Sequence, residues 1–283
     1  MGVLGDSISA ATLADFPLES FAPPEQRVRE WAERSQEGRF LFENRKKLSW
    51  GSGVEIESHY RLLSRHLSQE APGLSLSVLN FSHPGDSTAS LVSQARKLIR
   101  ALKSGEYQTL AYVVMTIGSN DACDSGLKPD LDRIRESLLS AVLEISSGVS
   151  QPEPVRMLVL GVPRIPDLGK PPYRDQRTVF GLSCETVRNR ILHFCNSLTV
   201  WRTQEEYQER LGVVEKVNRV LQDVSHELRT QAPNVQVFFS SQLSQAPIVM
   251  ADLAADCFHP SSQGQQEISL QSWKEQPWFR GRS

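Results

Sequence analysis

Five short apolar runs separated by long amphipathic stretches constrain this chain more than any other feature. The runs are Val3-Leu4, 74–79 (LSLSVL), 110–115 (LAYVVM), 155–160 (VRMLVL) and 235–239 (VQVFF). Each has strand length and is rich in β-branched or aromatic residues, and most are closed by Gly, Asn, Pro or Ser. Between them the period changes to that of a helix. Residues 87–103 bring Leu91, Ala95, Leu98 and Leu102 to one face, and 131–145 do the same with Leu131, Ile134, Leu138, Val142 and Ile145. The stretch 207–230 repeats the pattern with Leu211, Val214, Val217, Leu221, Val224 and Leu228. Such stripes are packed faces. Strands alternating with helices imply βαβ units, a parallel sheet and helices on both of its faces. The expectation is an α/β fold: a single domain over 1–283, a three-layer α/β/α sandwich around a five-stranded parallel sheet.

With 283 residues, 39% of them hydrophobic, the chain can bury a large core without metals or staples. Net charge is −2 and the longest basic cluster, Arg45-Lys46-Lys47, reads as solvated surface, so no nucleic-acid partner is implied. No run of about 18 apolar residues is present, so no transmembrane segment is expected. The start, Met1-Gly2-Val3-Leu4, is shorter than the usual first strand of about 5–6 residues. A leader or linker is therefore expected upstream, and the missing signal peptide does not fix the compartment. Cys123, Cys184, Cys195 and Cys257 form no Cys-x-x-Cys pair, which argues against a zinc site. They read as free buried thiols, with a Cys184–Cys195 disulfide left open for an exported protein.

Two insertions, 17–53 and 162–183, follow strand ends, where open α/β sheets bind ligands. Both are expected to shape or cover a substrate site, with surface decoration as the plainer alternative. The first carries Phe21, Trp31, Phe40, Phe42 and Trp50, which favour an acyl chain over a bare acetyl group. A local mini-core is the alternative.

Four motifs carry chemistry. Gly5-Asp6-Ser7-Ile8-Ser9 follows the first strand, where a serine can present its hydroxyl at the sheet's carboxyl edge. Ser9 stands where a Gly-x-Ser-x-Gly elbow needs glycine, which disfavours the α/β-hydrolase family. Gly85, in Ser82-His83-Pro84-Gly85-Asp86-Ser87, precedes a helix whose first backbone N–H groups are free to face an anion. Asn120, in Gly118-Ser119-Asn120-Asp121, caps the third strand and can offer a side-chain amide to an oxyanion. His259 follows Asp256 by three residues, a spacing that lets the carboxylate fix one imidazole tautomer. Each alone is weak, since glycines, asparagines and lone histidines are ordinary turn residues. The ensemble, in this order and at successive strand ends, is specific.

Together these residues resemble the SGNH (GDSL-type) hydrolase superfamily, whose four marker residues match Ser7, Gly85, Asn120 and His259, with Asp256-x-x-His259 as its Asp-x-x-His motif. The likeness runs over essentially the whole chain and implies a flavodoxin-like fold and serine ester hydrolysis. Catalytic Ser7, Asp256 and His259 are implied, with an oxyanion hole from Ser7, Gly85 and Asn120, and no metal or organic cofactor. Ile8 replaces the leucine of the namesake Gly-Asp-Ser-Leu, a conservative change. Leu48-Ser49-Trp50-Gly51, 118–124 (GSNDACD) and 255–259 (ADCFH) look like the phospholipase-B-like branch. That branch implies a lipid acyl-ester substrate, peripheral contact with a membrane surface and export by secretion or to the periplasm; a cytoplasmic location stays open. An acyltransferase with the same triad, a carbohydrate or short-chain acyl esterase, and a non-catalytic SGNH-fold binding module are the competing readings. His59 and His66 read as surface, His83 as an exposed loop residue, Cys123 and Cys257 as packed thiols, and Asp121 as a support for the Asn120 loop.

Overall fold

Successive side chains of a strand point to opposite faces of its sheet, and in this chain both faces are apolar. The computed structural model describes residues 1–15, 45–178 and 181–279. Its strands are β1 (Gly2–Gly5), β2 (Leu79–Asn80), β3 (Tyr112–Thr116), β4 (Val155–Leu160) and β5 (Val235–Ser240). All pair in parallel, in the order β2-β1-β3-β4-β5. Leu4, Val113, Met115, Met157, Val159, Val235 and Val237 bury one face. Val3, Tyr112, Val114, Leu158 and Leu160 bury the other.

A sheet apolar on both faces must be covered twice. Three of the covering helices share the first cluster: Leu91–Leu102, Leu131–Gly148 and Gln204–Gln231. These are the three helices that the periodicity predicts. The second face is covered by His59–Glu70 and Ser262–Glu275, through Leu63 and Ile268. Four of these five helix starts are capped by side chains, which satisfy first-turn N–H groups: Ser58 accepts from Arg61 N–H, Asp130 from Arg133 N–H, Thr203 from Glu206 N–H and Ser261 from Gly264 N–H.

The run 74–79 is a strand only at its end. β2 pairs through Leu79 and Asn80 alone, and Leu74 is 63% exposed. As the edge strand, the segment has one neighbour to pair with. Leu76 and Val78 use their apolar side chains to pack on the second cluster instead. Of the aromatic residues in insertion 17–53, Phe21, Trp31, Phe40 and Phe42 lie outside the described residues. Trp50 does not serve a substrate site: it is fully buried in the second cluster, with His59 edge-on at 5.2 Å.

The histidine pair 59 and 66 divides. His66 is half-buried against Phe279, whereas His59 is fully buried, not on the surface. Its Nδ1 meets the Tyr112 hydroxyl at 2.9 Å and its Nε2 meets Ser272 Oγ at 2.9 Å. Those partners lie on β3 and on the helix Ser262–Glu275, so the burial follows from tertiary packing that no local pattern announces.

Candidate active site

β1 lies between β2 and β3, so the winding direction of the chain changes at β1, and open α/β sheets bind ligands beyond the carboxyl ends of strands at such a point. Gly5 ends β1 at φ +128°, and a Cβ there would stand 2.1 Å from the Thr116 carbonyl oxygen of β3. Only glycine lets the two strand ends approach this closely. Asp6 N–H donates to Thr116 O at 3.1 Å, which fixes the start of the turn carrying Ser7 to the end of β3. Gly118, at φ +107°, turns the chain after β3 into the short helix Ser119–Cys123 that carries Asn120.

Two buried glutamines hold the serine turn. Gln94 accepts from Gly5 N–H at 2.7 Å and donates to Gly5 O at 2.9 Å and to the Asp86 carboxylate at 2.6 Å. Gln265 donates to Ile8 O at 2.9 Å and accepts from Trp50 N–H at 2.9 Å. Neither stood out in the sequence. The available signal is a polar residue on the buried face of a helix, Gln94 between Leu91 and Leu98.

Ser7, Asp256 and His259 meet. His259 Nε2 lies 2.9 Å from Ser7 Oγ, and His259 Nδ1 lies 2.6 Å from Asp256 Oδ2. Asp256 Oδ1 also accepts from the N–H groups of Phe258 and His259, each at 3.0 Å. The carboxylate thus takes three N–H donors, which fixes the tautomer with the proton on Nδ1 and leaves Nε2 free to accept from the serine.

Asn120 lines the same cavity as Ser7 and His259. Its Nδ2 donates to Asp86 O at 2.8 Å, which ties it to the turn holding Gly85. Gly85 itself is exposed, at φ +81°, and is not among the residues lining the cavity. Asp121 accepts from Thr88 N–H at 2.9 Å and from Thr88 Oγ1 at 2.7 Å, which supports the Asn120 turn as expected. His83 is exposed.

Asp6 is fully buried, and burial pushes its carboxyl up to about 7. The N–H of Ile8, donating to Oδ1 at 2.9 Å, and the nearby His259 oppose that rise; Asp121 adds to it. Asp6 is thus a buried acid beside Ser7 that sequence reading does not distinguish from an ordinary turn residue.

Most of the cavity wall is apolar, with Ile8, Ile165, Leu168, Leu243, Ile248 and Phe258 contributing to it beside the acids Asp252 and Glu267. Ile165 and Leu168 come from insertion 162–183, which therefore does shape the cavity.

The cysteines are not free thiols, and Cys184 does not pair with Cys195. Cys123 is bonded to Cys195, and Cys184 to Cys257. Four cysteines allow three connectivities, and proximity in the fold selects among them. Among the described residues no group of three or more His, Cys, Asp or Glu could hold a metal ion.

A family model described as GDSL-like lipase/acylhydrolase matches residues 1–271. The chain belongs to that family. It is accordingly an ester-bond hydrolase. No curated protein matches it by sequence. Among solved structures, this GDSL-family hydrolase is similar to a lipase from a goat rumen metagenome, at 11% identity and a TM-score of 0.53, over 99% of this chain and 98% of that one. That likeness concerns the fold. A psychrotrophic esterase of a Pseudoalteromonas species matches at 13% identity and a TM-score of 0.47, covering 97% of this chain and 94% of its own. An acetylxylan esterase of Geobacillus stearothermophilus matches at 16% and 0.45, covering 99% and 96%.

Proposed function

We propose that this hydrolase cleaves lipid acyl esters through an acyl-enzyme formed on Ser7. The observation that carries the reading is the contact chain from Ser7 Oγ through His259 to Asp256, standing in an apolar cavity. His259 Nε2 takes the Ser7 proton as the hydroxyl attacks the ester carbonyl, and Asp256 stabilises the imidazolium that forms. His259 then protonates the leaving alcohol, and water, activated by the same imidazole, releases the acid. The oxyanion is held by the Ser7 N–H and the Asn120 amide, donors that act where charge develops, and the family resemblance adds the N–H of Gly85, in the turn that Asn120 ties down through Asp86 O.

The apolar wall favours an acyl chain over an acetyl group. Val249, a lining residue, is 49% exposed, and such a rim supports peripheral contact with a lipid surface during substrate entry. No described helix is long and apolar enough to cross a membrane. Two disulfides favour an oxidising compartment, and hence secretion or a periplasmic location. The Asp256-Cys257-Phe258-His259 box adds the phospholipase-B-like branch to this reading.

The test is hydrolysis of p-nitrophenyl esters from two to sixteen carbons, together with fatty-acid release from phospholipid and lysophospholipid. Ser7→Ala is the control, and a fluorophosphonate probe marks the active serine. Activity that depends on Ser7 and rises with chain length is expected. Turnover unchanged in Ser7→Ala would refute the mechanism, and activity confined to acetyl esters would refute the lipid substrate.

A further inference from the structure

Among the described residues, Arg188 is the only lysine or arginine that is fully buried. Burying a guanidinium is costly unless its charge is paired and its donors are satisfied. Arg188 has neither benefit in full. No carboxylate among the described residues lies within ion-pair distance of it, and its Nη2 has no hydrogen-bond partner. What it does touch is telling. Nε donates to Asn189 Oδ1 at 2.9 Å, and Nη1 lies 3.4 Å from the carbonyl oxygen of Cys257, the residue next to Asp256. The backbone on either side is fixed to the same place: Cys184 is bonded to Cys257, and the ring of Phe194 stands edge-on to His259 at 5.4 Å.

We propose that Arg188 is a positioning residue for the Asp256–His259 pair. It holds the loop that carries both, and its positive charge repels the cation that the imidazole becomes on taking a proton. The proposal rests on the triad reading above. Among the described residues, the other ionisable groups that face the pair or line its cavity are acids. Asp6 faces it from the turn after β1, with Asp121 behind, and Asp252 and Glu267 line the same cavity. Glu185 lies three residues before Arg188. Ionised, each of these favours a protonated imidazole, which cannot accept from Ser7; Asp6, whose carboxyl burial pushes up to about 7, does so only above that value. One buried cation behind Asp256 opposes them, and a low-dielectric surrounding lengthens its reach. Burial lowers the Arg188 guanidinium to about 10, against the pull of Glu185 and Asp256, so it stays charged through the neutral range.

Removing the cation removes a repulsion on the imidazolium, so the acid limb of the labelling rate moves to higher pH. The experiment is the rate of Ser7 labelling by a fluorophosphonate across pH, on the full chain and on Arg188→Met and Arg188→Lys, with circular dichroism for folding. The expected result is an acid limb about one pH unit higher in Arg188→Met, or about tenfold slower labelling below it, with the limb restored in Arg188→Lys. An unshifted limb in Arg188→Met overturns the proposal. So does an equal shift in both variants, which would assign the effect to packing, and so does loss of the fold in both. If the unmodified protein labels with no Ser7 dependence, the triad reading itself falls, an outcome distinct from the others.

Discussion

Cys184 is bonded to Cys257, the residue that directly follows Asp256 and stands two before His259. The second disulfide repeats the arrangement: Cys195 holds Cys123, three residues after Asn120. Two loops of the site therefore hang on one segment, 184–195. Cys257 and Cys195 both sit at positive φ, 60° and 54°, a conformation that costs an ordinary residue roughly 1–2 kcal/mol. The crosslinks help to hold it. With sequence separations of 73 and 72, each closes a loop worth about 4 kcal/mol in the chain-entropy account. Cys184→Ser should lower the melting temperature by roughly 10 °C. It should also reduce esterase activity at temperatures where the fold persists. Thermal denaturation and activity with and without reductant check both.

Asn120 offers a direct test of the oxyanion assignment. Asn120→Ala should cut kcat about 100- to 1,000-fold, the effect of losing one such donor, with KM nearly unchanged. A rise in KM at constant kcat would instead show that the amide binds substrate uniformly. The Asp86 carbonyl that Asn120 now satisfies would be left to solvent, so only a small fall in stability is expected.

Ala246 lines the cavity beside Leu243 and Ile248, and a larger side chain there takes space from the acyl chain. Ala246→Phe should leave two-carbon esters nearly unaffected and depress long-chain ones. Each methylene kept out of the cavity costs about 0.8 kcal/mol, or roughly fourfold in kcat/KM. The chain-length profile with p-nitrophenyl esters measures this. A uniform loss at all lengths would show that the segment supports the triad and does not hold the chain.

Much of this was legible because local pattern and global fold agree. Leu211 to Leu228 repeat at helical spacing, and the helix Gln204–Gln231 buries that stripe. Ser7, Asn120 and His259 stand out because each closes a strand or belongs to a short fixed spacing, and the fold brings all three to one cavity. What the sequence hid depends on contacts across the chain. Gln94 and Gln265 act on Gly5 and Ile8 from 89 and 257 residues away. The disulfide partners were equally silent, since spacing alone does not choose among three pairings. β2 failed for a different reason: Leu76 and Val78 are apolar for packing, and an apolar run does not by itself guarantee a pairing partner.

His59 makes the acid stability of the fold testable. It is fully buried between Trp50, Tyr112 and Trp273, and burial lowers it to about 3, a fall that the bond to Ser269 O only partly opposes. The unfolded chain protonates this histidine near its ordinary value of 6.5, and the folded chain does not until about 3. Between those values the unfolded state holds more protons, so stability rises with pH. The contribution is fully present above about 6.5 and is lost as pH falls toward about 3. One pKa unit is worth about 1.4 kcal/mol, so the loss amounts to several kcal/mol. Asp6 works the other way. Raised to about 7 from an ordinary 3.8, it holds its proton in the folded state and loses stability as pH rises through that interval. The two slopes oppose each other, and the unmodified protein's profile alone does not separate them. His59→Gln keeps hydrogen-bonding groups near Tyr112 and Ser272 but cannot take the charge. Its melting temperature should be lower at pH 7, and the deficit should shrink steadily as pH falls from 6.5 to 4. A deficit independent of pH would mean that His59 titrates normally and contributes through packing alone.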